Sequence, residues 1–272
     1  MAISFVKAVK GLLVMLFFIA AIFTVKHIYK INHKGPNCIR ITFREGLNIH
    51  EVADLLQING IVTKDKFFSS CDNEDLRNEF EFLKGESKTK YFALEGYLFP
   101  DTYDFLKDED PLNVIRKFLI NFRSKTENLK IPPEFTLEQI LTIASILEAE
   151  SNLEDGPMVS SVIHNRIKTF SNSGKNQFGE YGLDSLYLES TMYYPYRSKE
   201  ECPPDFKSSY NTYEIKGFPP GPICSPGLKF INDAINPAET DYFYFCNDEN
   251  KKIYFAKTYE EHCKNLKDIG LR

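Results

Sequence analysis

Residues 136–151, T-L-E-Q-I-L-T-I-A-S-I-L-E-A-E-S, decide how the rest of the chain is read. Thr136 is an N-cap, and Gln139 three residues on completes a capping box. Leu137, Leu141, Ala144 and Glu148 then share one stripe at helical spacing, with Ile140, Ile143 and Leu147 on the adjoining one. The pattern predicts a buried helix with a carboxylate where an apolar side chain is expected. Partial burial there disfavours the charged form and lifts the carboxyl pKa toward the range of a general acid. The plain alternative is a glutamate that meets solvent at a helix end. Glu150 is about 200° further round the helix, so the two carboxyls do not form a side-by-side pair.

Working outward toward the N-terminus, residues 91–105 (Y-F-A-L-E-G-Y-L-F-P-D-T-Y-D-F) are dense in aromatics, with Glu95 and Asp101 embedded and a turn at Pro100-Asp101. Residues 110–124 read as an amphipathic helix. Residues 38–43 alternate like a strand, 49–59 follow helical periodicity, and Gly60 closes that helix. This small α/β pattern resembles a LysM-like module, a type that contacts wall polysaccharide; a simple α/β spacer fits it equally. Residues 64–90 lean helical. The apolar run 11–25, extended to 31 and flanked by Lys10, Lys26 and Lys30, reads as an uncleaved membrane anchor, whose balanced lysines leave its orientation open.

Beyond the central stretch, Gly156-Pro157 opens a helix over 158–169 that puts Arg166 near an apolar seam and gives His164 a structural place. Residues 171–181 are polar. Residues 186–196 gather Glu189, Ser190, Thr191 and four tyrosines. Residues 210–227 form a long Pro- and Gly-rich loop, the kind that carries function when ordered. A hairpin over 241–256 and a helix over 258–265 close the chain.

The 272 residues are 43% hydrophobic and 26% charged, ordinary globular values. A net charge of -5 carries no basic excess, so no nucleic-acid partner is expected. Phe 23 and Tyr 15 without Trp suit both cores and sugar-binding grooves. The six cysteines lack metal-ligand spacing, and neither G-x-S-x-G nor H-E-x-x-H occurs, so no metal and no cofactor is expected.

Taken in order, L-E-G-Y-L-F-P-D-T-Y, A-S-I-L-E-A-E, H-N-R-I, S-T-M-Y-Y, Y-N-T-Y, G-F-P-P-G-P-I-C-S-P-G and D-Y-F-Y-F resemble the MltG/YceG-like family of endolytic murein transglycosylases. The resemblance runs from Cys38 to the C-terminus and takes in the anchor. It departs from the family at Leu188-Glu189 and at Ile253. It implies an α+β fold: a short cytoplasmic tail (1–10), a transmembrane anchor (11–31), a LysM-like module (36–90) and a mixed α+β catalytic domain (91–272). It also implies a single-pass inner-membrane protein whose extracytoplasmic domain cuts nascent peptidoglycan strands into 1,6-anhydro-muramyl ends, beside peptidoglycan synthases. The family's catalytic glutamate maps onto Glu148. Glu95 and Glu189 are candidates for orienting substrate or stabilising an oxocarbenium-like centre, and Thr191, Tyr210, Asn211, Thr212 and Tyr213 for gripping sugars. A non-catalytic wall-binding scaffold and a hydrolytic muramidase are the alternatives.

Overall fold

Side-chain caps set most helix starts. In the computed structural model, which describes residues 38–84, 89–170 and 184–271, strand β1 (Cys38–Thr42) leads into helix α1 (Ile49–Ile58). Asn48 and Glu51 form a capping box at that start, satisfying two of the orphan donors of the first turn. Helices α2 (Lys64–Cys71) and α3 (Glu74–Glu79) follow. Strand β2 (Thr102–Leu106) then returns to pair antiparallel with β1, Cys38 opposite Leu106 and Thr42 opposite Thr102. The strand that completes the first sheet therefore comes from beyond residue 90. On the outer face Arg40 meets Asp104 at 2.7 Å, while Phe43, Tyr103 and Phe105 gather round Phe118 of α4 (Pro111–Thr126).

The stretch quoted first forms α5 (Leu137–Glu150), with the expected Thr136/Gln139 box. Every residue from Ile140 to Leu147 is buried. Each such Leu or Ile contributes about 1.5–3 kcal/mol of burial free energy, so α5 is the post against which α6 (Gly156–Phe170) and α7 (Leu228–Ile235) pack. Val159 and Ile163 of α6 and Phe230, Ile231 and Ala234 of α7 share its core. A second hairpin, β3 (Tyr244–Asn247) with β4 (Ile253–Ala256), carries α8 (Tyr259–Asp268), capped by Thr258.

The mixed α+β architecture is as expected. The apolar stretch 11–31 and the polar segment 171–181 lie outside the described residues. Among the described residues, no helix is long and apolar enough to cross a membrane. All six cysteines are free thiols.

Candidate active site

Burial along α5 ends at its last turn: Leu147 is buried, Glu148 half-buried and Ala149 exposed. Two loops far apart in sequence close over that turn. One is the turn of residues 43–48 between β1 and α1; the other is the Pro- and Gly-rich segment ending at Gly227. Reciprocal backbone bonds join them, Gly46 N–H to the Ser225 carbonyl and Ser225 N–H to the Leu47 carbonyl, each 2.9 Å. The second loop is also fastened to α5, because Ile223 N–H donates to Ser145 Oγ at 3.0 Å and the Cys224 thiol to the Ser145 carbonyl at 3.4 Å.

Glu148 sits between these loops. Gly227 N–H donates to Glu148 Oε2 at 3.0 Å, and among the described residues Oε1 has no hydrogen-bond partner. Gly46 forms the opposite wall at a φ of +78°, where a β-carbon would lie 3.2 Å from Glu148 Cγ. Only glycine adopts that backbone without strain and leaves the carboxyl its room. Burial pushes the Glu148 carboxyl above its ordinary pKa, the Gly227 N–H partly opposes it, and the nearby Glu45 carboxylate pushes the same way as burial. A carboxyl whose protonated form is favoured in this way, with one oxygen free of hydrogen bonds, is suited to donate a proton. Glu150 faces elsewhere, accepting the Ser190 N–H at 2.9 Å.

The other sequence-predicted residues divide sharply. Glu95 is fully buried and touches no solvent. Thr191 and Thr212 form a buried clip: their hydroxyls meet at 2.9 Å, Thr212 N–H donates to Thr191 Oγ1 at 3.1 Å, and Leu188 N–H donates to Thr212 Oγ1 at 2.8 Å. Tyr210 is wholly enclosed, stacked on Tyr91 and tilted against Tyr194. Asn211 is buried and accepts the Tyr213 N–H in an Asx turn. These side chains are buried and make their contacts within the fold. Glu189 is exposed, and Tyr213, 51% exposed and edge-on to Tyr187, is the one expected aromatic that a ligand can reach.

Sequence reasoning missed Glu45, Gly46, Gly227 and Arg197. Arg197 donates to the Gly46 carbonyl at 3.1 Å and pairs with Glu51, bracing the first loop from outside. Glycines in R-E-G-L and S-P-G were the available signal, yet nothing in either motif announces a meeting across some 180 residues of chain. Arg166 is buried on α6, as its seam position suggested; burial lowers it to about 10, and it donates to the Phe243 carbonyl at 2.7 Å and to the Leu186 carbonyl. His164 bonds the Ala234 carbonyl at 2.9 Å, a structural use. Among the described residues no cluster of His, Cys, Asp or Glu is placed to hold a metal.

The YceG-like family matches residues 17–268. An endolytic murein transglycosylase of Bacillus subtilis (strain 168) is 28% identical over 248 residues, covering 83% of this chain and 63% of the relative. One of Streptococcus pneumoniae serotype 2 (strain D39 / NCTC 7466) is 27% identical over 257 residues, covering 85% and 44%. The chain thus spans less than two thirds of these relatives. A crystal structure of a YceG-like protein from Listeria monocytogenes superposes with a TM-score of 0.66 at 24% identity, covering 83% of this chain and 75% of that one, and shares the fold.

Proposed function

The chain belongs to the YceG-like family, and on that footing we propose that it is an endolytic lytic transglycosylase, cleaving peptidoglycan glycan strands with Glu148 as its single acid–base group. The observation that carries this reading is the Glu148 carboxyl itself, half-buried between two stitched loops, anchored through Oε2 and open at Oε1. Protonated at the start, it gives its proton to the glycosidic oxygen as the bond to the muramyl C1 breaks. As the anionic base it then takes the proton of the same sugar's C6 hydroxyl while that oxygen closes on C1. The proton count balances, no water is consumed, and the product is a 1,6-anhydro end. Attack from within the same sugar gains from proximity, so a second carboxylate to activate water is not required.

The Glu45 carboxylate beside Glu148 favours a second reading, hydrolysis, in which Glu45 rather than Glu95 or Glu189 would handle water. End-group analysis separates the readings. Wild-type digestion of uncrosslinked peptidoglycan is expected to yield anhydro ends, and Glu148→Gln to lose at least about 10³-fold in rate while keeping its fold. Reducing ends would favour hydrolysis, and wild-type rates from Glu148→Gln would remove the assignment. The same reading carries residues 11–31 as a single-pass anchor, residues 36–90 as a wall-contacting LysM-like unit, an extracytoplasmic catalytic portion and an association with peptidoglycan synthases.

A further inference from the structure

Glu95 is fully buried, yet it ties the start of α1, directly after the Gly46 turn, to the segment of Tyr194. Its Oε2 accepts the N–H of Ile49, first residue of α1, at 3.1 Å, and the hydroxyl of Tyr194 at 2.8 Å. Ile49 follows directly on the turn that carries Gly46. Three residues beyond Tyr194, Arg197 reaches back to the Gly46 carbonyl and to Glu51. The neighbour Gly96 has φ +86°, and a β-carbon there would lie 2.5 Å from Pro222 Cγ, so the same turn seats the loop that ends in Gly227. The enclosed carboxyl thus fastens the Gly46 side of the site, while its neighbour Gly96 packs against the loop on the Gly227 side.

We propose that Glu95 is a positioning residue that holds the Gly46 and Gly227 walls at the spacing which confines the Glu148 carboxyl. This rests on the reading of Glu148 as the acid. Glu95 never meets the sugar; it acts by keeping Glu148 desolvated and in one orientation. The titratable or charged neighbours of Glu95 are Lys90, Tyr194, Tyr210, Cys71 and Cys224, and those of Glu148 are Glu45 and Cys224.

The test is Glu95→Gln in the full chain, with two readouts. Titration of the Glu148 carboxyl by ¹³C NMR should move down toward the ordinary carboxylate range as the walls loosen and water enters. On uncrosslinked glycan strands, kcat should fall roughly 30-fold with KM within about twofold, the pattern of a misplaced catalytic group. Tyr194→Phe, which removes one donor and leaves the Ile49 bond, should shift both readouts less in the same directions. A variant with a lower melting temperature but an unchanged Glu148 titration and kcat would overturn the proposal. If Glu95→Gln fails to fold, an unchanged Glu148 titration in Tyr194→Phe overturns it alone. The titration needs no substrate, so a wild type that cleaves nothing would sink the functional reading while the positioning role is still judged.

Discussion

Glu148 and Glu95 are both carboxyls that burial lifts above their ordinary pKa, and only one of them is placed to do chemistry. Glu95 has no exposure; its Oε2 takes two donors, and burial raises it to about 7 against the backbone and Tyr194 bonds that oppose the shift. Glu148 has one donor, one open oxygen and a half-exposed side chain. The comparison separates two things that a perturbed titration alone runs together. Desolvation makes a carboxyl a better proton holder wherever it occurs, whereas access decides whether that proton can reach a substrate.

The contrast is sharpened most by stability against pH. Glu95 has a folded-state pKa raised from 4.5 to about 7, so its contribution to stability is full below about pH 4.5 and is lost as pH rises to about 7. Wild type should therefore lose about 3 kcal/mol of unfolding free energy across that window relative to Glu95→Gln. Chemical denaturation at a series of pH values measures this, and parallel profiles for the two proteins would mean that Glu95 is not the enclosed acid described. A smaller effect is expected at the wall of the accessible carboxyl. Gly46→Ala places a methyl in the left-handed region, at roughly 1–2 kcal/mol of strain, and against Glu148 Cγ. Glycan cleavage should fall about tenfold through kcat, since a small displacement of an acid is felt in rate before binding. An undiminished kcat would show that the wall does not orient Glu148.

How much of this was legible in the sequence depends on how far each contact reaches. The caps Asp110 ahead of α4 and Thr258 ahead of α8 act within three residues, yet went unread inside helices that were expected there. Thr136 with Gln139 is equally short in reach, and spacing alone exposed that cap. The carboxyl on the apolar stripe of α5 was legible for the same reason. The pairing of β1 with β2 spans some 60 residues, and the Glu95 bond to Tyr194 spans 99. Contacts of that reach leave no local trace. At 210–213 the sequence suggested a sugar grip because tyrosines and hydroxyls in a loop look like one, yet Tyr210, Asn211 and Thr212 are buried and only Tyr213 is exposed. Tyr210 and Thr212 instead use that chemistry inward, to close a segment too polar and too rich in Pro and Gly to be held by helix or sheet bonds.

The central claim is that one carboxyl completes the cleavage without water. Digestion of uncrosslinked glycan strands in H₂¹⁸O, followed by mass spectrometry of the new muramyl ends, tests it most directly. The account expects anhydro ends that carry no ¹⁸O. One ¹⁸O atom in each new end would contradict it and place a water molecule where the C6 hydroxyl is meant to act.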